Sequence, residues 1–259
     1  MDTQTRRGHI LDSLEVDGYV KLKTLADELG VSPVTIHRDL EYLAQEGAVR
    51  RVRGGARPAI QPRHEIRTDY LLRLHQEPRL KSVIARHARQ LVIDGSTVFM
   101  DASTTVFSLV QELESNPPTG LTIVTNAPAI AYHLQAPGIR VIVLPGDLDQ
   151  SLKAITGTWT VQFLEGVRFS TAFFSAGGFS VDGGLMTQQR ALADVIQAAI
   201  GRAHTRVALV DSTKFDTTAL IPLAGKSEVD EIVTDGAIAH ETVARFEGAG
   251  WRLNVAPVE

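Results

Sequence analysis

The chain has 259 residues, 44% hydrophobic and 22% charged, which is enough apolar material for one large or two modest cores and excludes a disordered tail. Its 26 basic and 30 acidic residues leave a formal net charge of -4, so any nucleic-acid affinity has to be local. It contains no cysteine, which excludes disulfides, thiolate metal sites and cysteine nucleophiles and suits a reducing cytoplasm.

In chain order, the opening MDTQTRRGHI lacks the apolar core of a signal peptide. No later window reaches the about 18 apolar residues of a membrane span, so a cytoplasmic, non-membrane protein is expected. Ile10, Leu11 and Leu14 fall on one face of a first helix that Gly18 ends. Leu22, Leu25, Ala26 and Leu29 do the same for a second, stopped by Gly30 as a left-handed cap. Ser32 is placed to cap a third helix, Pro33 takes its first position, and Ile36, Leu40 and Leu43 form its buried stripe. The opposite face offers Thr35, His37, Arg38 and Glu41, short donors near the start and longer cations behind, as a major-groove helix requires. That helix stops near Gly47, and AVRRVRGGA reads as a two-stranded wing that crowds Arg50, Arg51 and Arg53 around a glycine turn, where phosphates would lie. The candidate DNA-binding residues are therefore Ser32, Thr35, His37, Arg38, Arg50, Arg51 and Arg53.

The stretch LADELGVSPVTIHRDLEYLAQEGAVRRVRGGA resembles the winged helix-turn-helix of the DeoR family of bacterial transcriptional regulators, in which TIRRDL and HGGA are typical. Here His37 replaces the first arginine of the hexapeptide and Arg53 stands where the wing usually carries histidine.

Pro58, Pro62 and Pro78 mark a charged linker with a connecting helix from about Glu65 to His75. The expected organisation is a winged helix-turn-helix over 1–57, the linker over 58–78 and a sensor domain over 79–259. Beyond about Ser96, short apolar runs alternate with helical stretches, and STVFMDAST, LTIVTN, IRVIVLPG, TAFFSAGG, TRVALVDST and DEIVTD each end in polar residues or glycine. This predicts an α/β domain with a mostly parallel sheet whose ligands gather beyond the carboxyl ends of the strands. In DASTTVFSLVQEL, the hydroxyls of Ser103, Thr104 and Thr105 and the N–H groups of a new helix are expected to form an anion cradle, with Asp101 beside them as a further effector-binding candidate. Thr125 and Asn126 before a helix, the pair Gly177 and Gly178, and Lys214 as charge partner point to the same rim.

This half is likewise similar to the DeoR-type sensor, which is related in fold to sugar-phosphate isomerases. DASTT stands for the usual DSGTT loop, TN and DSTKF match, and Ala191, Leu192 and Ile196 are apolar where charge is common. The resemblance implies a repressor of carbohydrate-metabolism genes with two partners, a double-stranded DNA operator and a phosphorylated sugar or related metabolite. Paired half-sites call for a homo-oligomer, dimer or tetramer. The alternative is a sugar-phosphate isomerase-like enzyme with a DNA-binding appendage, for which Asp101, Asp182, Asp211 and Lys214 supply the residue types. The eight histidines are scattered without an HxxxH pair, so no metal, cofactor or catalytic residue is expected.

Overall fold

In the computed structural model, which describes residues 3–17, 19–45, 48–52, 54–58 and 70–257, the chain divides into two compact units, Met1–Leu72 and Arg73–Glu259. The division falls inside the predicted linker. The first unit contains α1 (Thr3–Asp17), β1 (Val20–Lys21), α2 (Leu22–Glu28), α3 (Pro33–Gln45), β2 (Val49–Val52) and β3 (Gly55–Pro58). The predicted apolar stripes close on one another: Ile10 and Leu14, Leu25 and Ala26, and Ile36, Leu40 and Leu43 share one core with Val20, Val49 and Ala56. Gly30 adopts φ 64° after α2, and the backbone N–H of Thr35 donates to Ser32 Oγ at 3.2 Å, so both helix signals work as the sequence implies.

The wing is a three-stranded antiparallel sheet in the order β1-β3-β2. Its extra strand, β1, has only two residues, too few for an alternating pattern to reveal. A Cβ at position 55 would lie 1.9 Å from the Val20 carbonyl oxygen, so glycine alone lets β3 run this close to β1. The expected helix ends at Gly18 and Gly47, the candidate Arg53 and linker residues 59–69 lie outside the described residues. Of the predicted connecting helix, α4 (Tyr70–His75) is the part within them.

The second unit continues with α5 (Pro78–Ala88), β4 (Thr97–Met100), α6 (Thr104–Ser115), β5 (Thr122–Thr125), α7 (Pro128–His133) and β6 (Arg140–Val143). A hairpin, β7 (Asp147–Asp149) and β8 (Ala154–Thr156), precedes α8 (Thr158–Glu165) and β9 (Phe169–Phe174). There follow β10 (Gly178–Ser180), β11 (Gly184–Thr187), α9 (Arg190–Ile200), β12 (Ala203–Leu209), β13 (Ile221–Ala224), β14 (Glu231–Asp235), α10 (His240–Gly248) and β15 (Leu253–Ala256).

Seven of these strands form one sheet in the order β15-β14-β12-β9-β4-β5-β6, and every neighbouring pair is parallel. Side chains alternate between its faces. Val98, Met100, Ile123, Phe173, Val207, Leu209 and Val233 pack with α5 and α6 on one side, while Phe99, Val124, Ala172, Phe174, Ala208 and Ile232 pack with α9 and α10 on the other. Burial on both faces explains why the strands read as continuous apolar runs. A smaller antiparallel sheet, β10-β11-β13, borders the second face, where Phe179 meets Phe215, Phe246 and Trp251 with ring centroids 4.6 to 5.1 Å apart. Among the described residues no helix is long and apolar enough to cross a membrane.

Candidate functional site

Two groups of residues carry chemistry, one in each unit. On α3, burial of Ile36, Leu40 and Leu43 turns His37, Arg38 and Glu41 outward. Ser32 and Thr35 open this face, and their hydroxyl oxygens lie 2.9 Å apart, so Ser32 serves the helix end while remaining exposed. Arg50 and Arg51 are both exposed on β2, but the pleat sends them to opposite faces. Arg50 lies across from Arg57 of β3, whose guanidinium sits 5.5 Å from the centre of the Tyr19 ring. Arg51 is on the side of α3, where its Nη2 donates to His37 Nε2 at 2.8 Å. Accepting that bond makes Nε2 the unprotonated ring nitrogen and leaves the ring N–H on Nδ1, which lies 3.9 Å from Glu41 Oε2.

An ion pair that the apolar pattern does not reveal holds this helix. Asp39 is 2% exposed and accepts from Arg6 Nε at 2.6 Å and Arg7 Nε at 2.9 Å, both on α1. Arg7 also lies 3.6 Å above the centre of the Tyr42 ring. Burial alone would raise the Asp39 pKa, but the two guanidinium groups hold it below the ordinary carboxylate value.

In the second unit the strand order reverses between β4 and β9. The chain winds outward through β5 and β6 on one side and through β12, β14 and β15 on the other. Such a reversal leaves a crevice at the carboxyl ends of the two central strands, the place where open α/β sheets bind ligands. Asp101 follows β4 and Ser175 follows β9 at this point. One Asp101 oxygen accepts from Ser103 N at 2.9 Å and the other from Ser175 N at 3.2 Å. Asp101 is 3% exposed, and burial pushes its pKa up to about 6 despite those bonds and the nearby charge of Arg73.

The predicted anion cradle is built around this carboxylate. Ser103 Oγ accepts from Val106 N at 3.2 Å and caps α6, and its hydroxyl also acts on the Asp101 carboxylate beside it, opposing the effect of burial there. Thr104 and Thr105 are buried in the first turn. Because Met100 pairs with Thr125, Asn126 comes next to Asp101. Asn126 is fully buried, with Nδ2 donating to Ile155 O at 3.2 Å, and Thr125 Oγ1 accepts from Ala127 N at 3.0 Å.

Lys214 sits on a turn anchored by two further strand-end carboxylates. Asp211 caps the Ser212–Lys214 turn through Thr213, and Asp235 at the end of β14 accepts from Ser212 N at 2.7 Å. Asp235 and Ser175 escape the sequence reading, although each stands at the polar tip of an apolar run. Gly177 donates its N–H to Met186 O at 2.8 Å. A Cβ on Gly178 would lie 2.8 Å from Thr217 O, so the close approach at this glycine is to the segment after Lys214. The apolar residues of α9 divide: Ile196 is buried in the core, Leu192 is partly buried against the other core, and Ala191 is exposed.

Comparison with known proteins assigns both units. Residues 6–61 match the DeoR-like helix-turn-helix domain and residues 76–236 the DeoR C terminal sensor domain. The chain is 28% identical over 247 residues to the lactose phosphotransferase system repressor of Lactococcus lactis, covering 95% of this chain and 96% of that protein. It is 33% identical over 238 residues, 90% of each protein, to the HTH-type transcriptional regulator YgbI of Escherichia coli. The glycerol-3-phosphate regulon repressor of Escherichia coli is 29% identical over 236 residues, 91% of this chain and 92% of its own. Among solved structures, ribose 5 phosphate isomerase A from Neisseria gonorrhoeae aligns over 55% of each chain at 12% identity with a TM-score of 0.41, too distant to carry an argument. Matched in both of its units and along nearly its whole length, the chain belongs to the DeoR family of transcriptional regulators.

Proposed function

We propose that this protein is a cytoplasmic repressor of carbohydrate-metabolism genes that binds a DNA operator as a homo-oligomer and responds to a phosphorylated sugar or related metabolite. The observation that carries this reading is the outward row on α3, with half-buried Thr35 at its head, then the exposed His37 and Arg38, continued onto the wing by Arg51. Thr35, His37 and Arg38 face base edges in a major groove, and Arg50, Arg51 and Arg53 meet backbone phosphates, Arg51 while donating to His37. Ser32 holds the helix start in position.

The metabolite sits at the crevice beside Asp101. Its phosphate is held by Ser103, Thr104, Thr105 and Lys214, and its hydroxyls face Thr125, Asn126 and the lip formed by Gly177 and Gly178. Two relatives are named for a lactose phosphotransferase system and a glycerol-3-phosphate regulon, which supports phosphorylated carbohydrate chemistry. We read the crevice as one that binds without turnover, in keeping with relatives that are named as repressors.

Fluorescence anisotropy with duplex fragments at several salt concentrations tests the reader. Arg38→Ala is expected to weaken binding, and Arg51→Ala to weaken it and lower the salt slope by about one. Lys214→Ala is expected to lose the response to sugar phosphates while binding DNA normally without them. Titrations unchanged by both arginine substitutions would overturn the DNA assignment, and a retained sugar-phosphate response in the lysine variant would overturn the cradle.

A further inference from the structure

Lys81, on α5, is a cation removed from water. It is 5% exposed, and its ammonium donates to the carbonyl oxygens of Arg73, in the last turn of α4, and Gln76 just beyond it. The Arg73 carbonyl also accepts from Gln76 N at 3.3 Å, and positive charge there meets the negative end of the helix dipole. An ammonium has three N–H groups, so one remains after these two bonds.

Helix α5 leads through residues 89–96 into the start of β4, so its own start, with Lys81, lies toward the carboxyl ends of the strands, and the charges of Asp211 and Lys214 act on Lys81 as that of Arg73 acts on Asp101. Burial lowers the Lys81 pKa to about 8, with Asp211 and Glu77 acting to raise it and Lys214 and Arg73 to lower it further. The ammonium is therefore charged at neutral pH and held in place by few compensating groups.

Resting on the ligand crevice proposed above, we infer that Lys81 switches between α4 and that crevice. The ammonium grips the last turn of α4, and an anion seated among Ser103, the start of α6 and Lys214 draws it away and frees that turn. Charge-assisted hydrogen bonds to an anion are roughly twice as strong as bonds between neutral groups, so a phosphate competes well against carbonyls. An anion between Lys81 and Lys214 also turns their mutual repulsion into shared attraction. The effect on α4 is large because a helix of six residues has little stability of its own and depends on what holds its end. The helix spans the division between the two units at Leu72 and Arg73, so loosening it alters the segment that joins them.

The test is hydrogen exchange by mass spectrometry on the full chain, with inorganic phosphate as the probe and thermal unfolding followed in parallel. In the wild type, phosphate is expected to raise the melting temperature and to speed exchange of residues 70–76 by roughly five-fold or more, the lower end of ordinary allosteric coupling. In Lys81→Met, exchange there is expected to be fast from the start and indifferent to phosphate, while phosphate still raises the melting temperature through its remaining partners, by less than in the wild type. A wild type stabilised by phosphate with unchanged or slower exchange at 70–76 overturns the switch and leaves the crevice standing. A K81M protein that keeps slow, phosphate-sensitive exchange overturns it as well. No phosphate stabilisation of the wild type removes the crevice and the switch together. The wild-type measurement decides between these outcomes even if K81M folds poorly.

Discussion

A carboxylate enclosed by protein costs several kcal/mol unless it is paired, and Asp39 is paired twice, by Arg6 and Arg7. Because α3 presents Arg38 outward and Asp39 inward, the residue proposed to face DNA and the residue that fixes the helix on α1 are neighbours in sequence. Asp39→Asn is expected to destabilise the first unit by about 3 kcal/mol, since it leaves two guanidinium groups without their counter-charge. Hydrogen exchange of the α1 and α3 amides in the full chain measures this, and wild-type protection would refute it. The pair also sets a direction with pH. The Asp39 pKa is lower folded than unfolded, so its contribution is complete above the ordinary carboxylate value near 4 and is lost as pH falls through the lowered value.

Each element is legible in the sequence to the extent that its signal is local. The apolar stripes of α1 to α3, the stop at Gly30 and the cap at Ser32 depend on residues three or four apart, and the strands of the parallel sheet announce themselves by apolar runs with polar tips. The neighbours of each strand depend on contacts between residues far apart, so the reversal between β4 and β9 cannot be read in advance. The same holds for Asp39, hidden among the charged residues of IHRDLE, and for Lys81, one basic residue in an amphipathic helix. The wing shows a third limit: AVRRVRGGA identifies a hairpin, yet the need for glycine at position 55 comes from β1, which lies beyond the hairpin altogether. Gly55→Ala is therefore expected to cost at least about 2 kcal/mol, because the added carbon meets backbone that has to move. Exchange protection of the β1 and β3 amides checks the expectation, and a variant as well protected as the wild type would contradict it.

At the scale of the whole molecule, two units with separate cores are expected to respond separately to acid. Asp101 binds its proton more readily folded than unfolded, so its contribution to the stability of the sensor unit falls as pH rises from about 4 to about 6 and is level above that. Asp149 and Asp230 have lowered pKa values, and their contributions are lost only further into acid. Lowering pH from about 6 to about 4 should thus add Asp101's contribution to the sensor while leaving the Asp39 contribution to the first unit nearly intact. Exchange of the two sets of core amides across that range is the measurement, and Asp101→Asn should remove the sensor's gain. An unchanged gain in that variant would assign the effect elsewhere. The adjacency of β4 and β9 has a consequence in time. Strand β9 ends at Phe174, long after β3 closes the wing at Pro58, and translation adds about 5–20 residues per second. On the ribosome, the part that engages the operator is finished for several seconds before the crevice that would govern it can exist, so every newborn chain passes through an interval of unsupervised affinity.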